Sequence, residues 1–258
     1  MRTRYRVWLD GQALDEISDR ILVIDVEEAA PDMQIDAAAC ASQVGSRLLA
    51  CRRLRMQVRV LIEVHEADIA RRSEIINRVA AWCQGKELTV NNRPGQRLLV
   101  RCTQQPSVSA LQWTERLPLV FTAYEQPYWE DAVPTEARFA GQTGEVSLAL
   151  PGTAETMLCV SIENTSGKLC SRLDIWHDQA CLRFEGLALA PGERLLIEGN
   201  TPVDLKLQIE GEAGLRSVYH KRQPQSADAL MLSPGVNRLT VTADTALKWT
   251  LRARGRYA

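Results

Sequence analysis

The sequence predicts a mainly β protein with one helix, organised as two domains. Three observations carry this. Residues 54–64 alternate apolar and polar side chains at period 2, and residues 68–84 carry an apolar stripe at period 3.6. Beyond residue 135, short alternating runs recur every ~8–12 residues with turn residues between them, the pattern of a β-sandwich. The expected domains are 1–135, an α+β N-terminal domain, and 136–258, the sandwich. A chain of 258 residues is long for one domain and comfortable for two.

Residues 5–9 alternate as a short strand, and Asp10-Gly11 supplies a tight turn. Ile21 to Val26 is nearly apolar on both faces and reads as a buried strand. Residues 28–46, rich in Ala, Asp and Gln with Pro31 and Gly45, read as a long loop or arm. In the run 54–64, Leu54, Met56, Val58, Val60, Ile62 and Val64 share one face, while Arg55, Gln57, Arg59 and Glu63 share the other. The helix stripe is Ile69, Ile76, Val79, Ala80 and Cys83, widened by Ile75 and Trp82. Asp68 is placed to cap its start, and Gly85 stands where a left-handed glycine closes a helix. A hairpin runs from Glu87–Val90 through Asn91 to Gly95 and returns by Leu98, Val100 and Cys102. Leu117, Leu119, Phe121 and Ala123 mark one more strand. In the second half the runs are 145–150, 156–162, 169–176, 180–184, 194–198, 203–209, 215–219, 237–242 and 247–254. Among the turns between them are Asn164 to Gly167, Gly199-Asn200 and Pro234-Gly235.

Net charge is -1, with 17 basic and 18 acidic residues up to position 135 and 14 of each after it. A balanced chain lacks a field that steers it to nucleic acid or an anionic surface. No apolar run reaches ~18 residues, and no apolar stretch follows the basic start, so the expectation is a chain without a membrane span or secretion signal. The seven cysteines include no C-x-x-C pair and read as reduced core residues in a cytoplasmic setting.

Two stretches carry a resemblance. One is Trp113-Thr114-Glu115-Arg116-Leu117-Pro118-Leu119-Val120-Phe121-Thr122-Ala123-Tyr124, running into Pro127-Tyr128-Trp129-Glu130. The other is Leu232-Ser233-Pro234-Gly235-Val236-Asn237-Arg238-Leu239-Thr240-Val241, closing with Thr250 to Tyr257. In this order the chain resembles the distal tail proteins of siphophages and prophages. The resemblance implies a non-enzymatic virion protein at the tail tip, made in the bacterial host cytoplasm. Its N-terminal domain would form a homo-oligomeric ring, hexameric in the family, and its outward C-terminal domain would be galectin-like or like a carbohydrate-binding module. Implied partners are copies of itself, the tail tube protein, a tail-tip hub or tail-associated lysin, and a receptor-binding protein. The rival readings are a non-catalytic carbohydrate-binding module with an accessory domain, and a hydrolase with an unrecognised carboxylate pair.

No catalytic, cofactor or metal constellation is legible. His65, His177 and His220 lack a nucleophile context. No Gly-rich phosphate loop exists, and Asp174 with His177 reads as a strand-end polar pair rather than metal ligands. A galectin-type site needs an Arg four residues after His177, where Cys181 stands. Trp176 reads first as a structural or interface residue, with stacking on a sugar ring as the rival. Asn164-Thr165-Ser166 matches a glycosylation sequon and reads as a turn. Lys248, Arg252, Arg254 and Arg256 read as a solvated strand face. Candidate subunit-contact charges are Arg47, Arg52, Arg53, Arg55 and Arg59, with Asp25, Glu27 and Glu28 as the acidic counterpart. A heterologous ring contact needs two unlike patches, and opposite charges fix its register.

Overall fold

The computed structural model describes residues 5–39, 46–106, 116–199 and 204–258. Cys40, Gly45, Trp113 to Glu115, Asn200 and Val203 of the reading above lie outside the described residues. The chain divides into two compact units, Met1–Trp129 and Glu130–Ala258.

In the first unit β1 (Val7–Leu9) and β2 (Gln12–Ala13) turn about Asp10 and Gly11, at φ 50° and 81°. Asp10 also accepts from the backbone N–H groups of Lys86 and Glu87 at 3.1 and 2.8 Å, tying the turn to the next hairpin. The chain continues through β3 (Ile21–Glu28), β4 (Asp32–Ala39), β5 (Ser46–Val64), α1 (Ile69–Trp82), β6 (Glu87–Val90), β7 (Gln96–Leu99), β8 (Arg101–Gln104) and β9 (Arg116–Ala123). One sheet contains β2-β1-β6-β7 in that order, and a second has the order β3-β5-β9-β8, with β4 also on β5. Alternation decides the core: Met56, Val58, Val60, Ile62 and Val64 of β5 and Leu117, Leu119, Phe121 and Ala123 of β9 are all buried.

Helix α1 starts where the sequence places it, with Asp68 accepting from the Arg71 N–H at 3.0 Å. Trp82 meets Phe121 edge to face, centroids 6.0 Å apart, and its indole N–H donates to the Gln12 carbonyl at 3.0 Å. Two expectations here need correction. Ile69 is exposed, because the start of the stripe is left uncovered, while Arg72 is buried. Gly85 is not left-handed. A Cβ there would stand 2.6 Å from Leu9 Cγ, so the residue is small to let the chain pass β1. Within residues 28–46, read as a long loop or arm, 40–45 lie outside the described residues and 32–39 form a strand, β4, paired antiparallel with the first half of β5. Their many Ala and Asp residues hide the alternation because neither face of this strand is covered.

The second unit is a β-sandwich. A short strand, β10 (Trp129–Asp131), leads into it. Then come β11 (Thr135–Leu150), β12 (Thr156–Met157), β13 (Cys159–Glu163), β14 (Cys170–His177), β15 (Ala180–Leu189), β16 (Arg194–Glu198), β17 (Lys206–Gly211), β18 (Gly214–Ser217), β19 (Met231–Leu232), β20 (Gly235–Ala253) and β21 (Arg256–Tyr257). The main sheet has the order β15-β14-β20-β13-β16-β17-β18, and β11 also pairs with β20. The runs 237–242 and 247–254, expected as two strands, belong to one. Residues 239–243 of β20 pair with β14 and residues 248–252 with β13. The alternation breaks between them, where the strand passes from one set of partners to the other. Partner β11 breaks register between Gly141 and Thr143. Gly141 and Gly144 leave room there for the Phe139 ring, which a Cβ on Gly144 would meet at 2.4 Å. The core gathers Leu148, Ile162, Leu173, Ile175, Phe184, Leu195, Ile209, Leu239, Trp249 and Leu251. Burying each such side chain contributes about 1.5–3 kcal/mol.

Two asparagines hold the turns. Asn237, of the Pro-Gly-x-Asn stretch, donates to the Ser233 carbonyl at 2.8 Å and accepts from the Ser233 N–H at 3.1 Å. Asn164 is fully buried, donates to the carbonyls of Lys168 and Leu189 at 2.8 Å each, and accepts from Ser166, so the sequon is a turn. The closing basic residues are not a uniformly solvated face. Arg254 donates to the carbonyls of Asp131 and Ala132. Arg256 is buried and paired with buried Glu130 at 3.1 Å. Past the end of β20 the period-2 rule no longer assigns sides.

Candidate subunit interface

The first half of β5 and β4 form a two-stranded arm. Towards its start, beyond Met56, β5 has nothing of the described chain packed over it, and Leu48, Leu49, Arg52 and Leu54 are exposed. Leu54, expected in the core, is therefore exposed. The register of β5 with β4 breaks between Asp32 and Met33 and between Asp36 and Ala37, and it puts Met33 opposite Arg53, Ile35 opposite Cys51 and Ala37 opposite Leu48, so Met33, Ile35 and Leu48 share one face. Met33, Ile35, Leu48, Leu49 and Leu54 are each between 47% and 65% exposed. Apolar side chains in one contiguous exposed group mark an interaction surface, whereas scattered ones do not. A hairpin with both edges open and no packed face is also marginal on its own.

The eight candidate charges fall on and around this arm, and the structure gives most of them partners within the chain. Arg55 pairs with Asp32 across β5 and β4, which raises its already high pKa by hydrogen bond and charge. Arg59 pairs with Glu27 at 3.3 Å across β5 and β3. Glu28 receives Arg93 at 2.8 and 2.5 Å and the Trp129 indole N–H at 3.1 Å. Asp25 accepts from the Val26 N–H at 2.8 Å at the β3 irregularity. Arg53 donates to the Pro127 carbonyl at 3.3 Å and lies 4.6 Å over the Tyr128 ring. Arg52 is exposed, and no ion pair engages it among the described residues. Arg47 stands opposite Ala38 in backbone register. The Arg run and the acidic run thus face each other within one sheet. Sequence reasoning could not see this because the pairing depends on β4 being a strand. It also missed the exposed apolar set, whose signal was the apolar residues Leu48, Leu49 and Leu54 lying beside the Arg run.

Chemistry elsewhere is sparse. Among the described residues no three His, Cys, Asp or Glu side chains are grouped to hold a metal ion. Asp174 pairs with Arg183 at 3.0 Å and Arg172 at 3.5 Å, rather than with His177. The six described cysteines carry free thiols, with Cys51 exposed rather than in the core. A cleft of about 360 Å³ in the second unit is bordered by Glu130, Cys159, Glu198, Lys206 and Arg252. Its facing charges, Arg252 with Glu198 at 4.0 Å and Arg256 with Glu130, largely neutralise one another. Among the described residues no helix is long and apolar enough to cross a membrane.

No protein-family model and no curated protein matches the chain. Solved structures do. The SPP1 Dit (gp 19.1) protein, described as a paradigm of the hub adsorption apparatus in phages infecting Gram-positive bacteria, gives a TM-score of 0.72 at 13% identity, over 98% of this chain and 99% of that one. A chain of the phage p2 baseplate in its activated conformation with Sr gives 0.52 at 8% identity, over 97% of each chain. A chain of the activated P2 baseplate with Ca gives 0.51 at 8%, over 99% of this chain and 98% of that one. Identity this low with the fold intact is expected when alternation and volume, rather than particular side chains, specify the core. Over nearly its whole length, the chain has the fold of the phage distal tail proteins.

Proposed function

We propose that this chain is a structural component of a phage tail tip, a distal tail protein that works by assembly rather than catalysis. In this reading six copies close into a ring in the virion. The ring joins the tail tube to the tail-tip hub or a tail-associated lysin, and offers an outward face to a receptor-binding protein. The observation that carries it is the uncovered arm on a fold shared end to end with adsorption-apparatus proteins. Closing a ring covers every arm with its neighbour and removes open strand edges. The domains take the expected roles, 1–135 in the ring and 136–258 outward. The candidate charges Arg47, Arg52, Arg53, Arg55 and Arg59 with Asp25, Glu27 and Glu28 then line the contact.

Light scattering and negative-stain images of the purified protein test the ring, with six copies in a closed annulus as the expected result. Arg52→Glu tests the charge contribution cleanly, because Arg53 is tied to Pro127 and Tyr128 in its own chain. Weaker assembly is expected at low salt, with less effect at high salt. An unchanged assembly state at both would remove the charges from the contact. A chain that stays single under all conditions would remove the ring.

A further inference from the structure

The outer face of β14 and β15 carries polar and aromatic side chains outside the proposed subunit contact. Leu173 and Ile175 point into the core, which sends Asp174 and Trp176 outward. Asp174 is nonetheless buried, held by the guanidinium groups of Arg183 and Arg172. Arg183 also lies 5.7 Å from the centroid of the half-exposed Trp176 ring, which fixes the indole in place. Residues 223–227 run along β15. The Gln223 N–H donates to the Arg183 carbonyl at 3.0 Å, the Ser226 hydroxyl bridges the Arg183 N–H and carbonyl at 2.9 and 3.1 Å, and the Ala227 N–H donates to the Cys181 carbonyl at 2.8 Å. The result is a depression of about 170 Å³ in which Gln179, Gln223 and Gln225 surround Trp176. Among the described residues none of these three amides is engaged by a side-chain hydrogen bond.

The chemistry selects the ligand. An anion needs a free cation, and Arg183 is committed to Asp174. A wholly apolar ligand would bury three amides without partners, at a cost. A peptide strand needs an open edge, and 223–227 already occupy that of β15. Amides both donate and accept, as sugar hydroxyls do, and an indole offers a flat apolar face to ring C–H groups. We propose that this depression is a saccharide subsite taking one pyranose ring, stacked on Trp176 and hydrogen-bonded by Gln179, Gln223 and Gln225. It stands independently of the ring reading. A single small ring in an open site binds weakly, with Kd on the order of 1 mM.

The test is saturation-transfer NMR with the methyl glycosides of glucose, galactose, N-acetylglucosamine and rhamnose at about 10 mM, enough to fill a ~1 mM site. Transfer to the ring C–H protons of at least one glycoside is expected from the intact protein. It should vanish in Trp176→Ala and weaken roughly tenfold in Gln223→Ala/Gln225→Ala, from two lost hydrogen bonds. Should Trp176→Ala fail to fold, the double variant, at half-buried Gln223 and exposed Gln225, decides alone. No transfer from any of the four glycosides, or transfer undiminished in the variants, overturns the proposal.

Discussion

Arg256→Met removes one half of the buried pair with Glu130, whose side chains are 8% and 5% exposed. Glu130 then keeps its charge in a low-dielectric setting without its guanidinium, and the Glu155 carbonyl loses its 3.4 Å contact with the same group. Breaking a buried pair from one side costs about 3–5 kcal/mol, whereas replacing both partners with groups of similar volume costs far less. The second unit has 129 residues. At ~2.1 cal/mol/K per residue, 1 kcal/mol shifts its Tm by about 4 °C, so the single substitution should lower melting by roughly 11–18 °C. The assay is thermal and urea unfolding of four proteins: the unaltered chain, Arg256→Met, Glu130→Gln, and the double variant. The double variant should recover at least half of the loss, a coupling of about 2 kcal/mol or more. A loss under ~1 kcal/mol in Arg256→Met, or a double variant as unstable as the two singles added, would refute the claim that the pair is desolvated and interdependent.

Further substitutions probe separate sites. Asn164→Ala takes the side-chain partner from the Leu189 carbonyl and the Ser166 N–H and leaves the Lys168 carbonyl only the Ser166 hydroxyl, and should cost about 2–4 kcal/mol in urea unfolding. Burial pushes the Asp244 carboxyl up, but hydrogen bonds from Ser171 and Arg172 outweigh it and hold the group below its ordinary pKa. Its contribution is therefore complete above about pH 4 and is lost as pH falls through the depressed value. Asp244→Asn should melt below the unaltered protein at pH 7, with the gap closing as pH falls through the carboxyl's depressed pKa in a pH series of melts. The Cys102 thiol, hydrogen-bonded by Cys83, is drawn down to about 7, while the same contact and burial push Cys83 up. Alkylation followed by mass spectrometry should modify Cys102 well before Cys83, and Cys83→Ala should move the Cys102 pH profile upward.

Much of the fold was legible because its strands are covered on one face. Residues 56–64 and 117–123 alternate cleanly for that reason, and helix α1 announces itself by stripe and cap. What was illegible shares one cause, that the covering element was not local. β4 has neither face buried, so composition hid it. β20 changes partners midway, so one strand read as two. Arg256 is buried by Glu130, 126 positions away. The candidate charges were visible as types, but their pairing across β3, β4 and β5 required the register. The arm was half legible, since Leu54 continues the alternation, yet only the fold shows that nothing covers it.

The most direct measurement compares the intact protein with Ile35→Ser/Leu48→Ser/Leu54→Ser by sedimentation velocity, with unfolding followed in parallel. These side chains are exposed in the single chain, so its fold should be undisturbed. The intact protein should sediment as a six-chain species and the triple variant as a single chain, because each contact needs well over ~1,000 Å² of buried surface and the arm supplies its apolar part. A triple variant that sediments like the intact protein, folded and fully assembled, would contradict the idea that the uncovered arm is what this molecule uses to do its work.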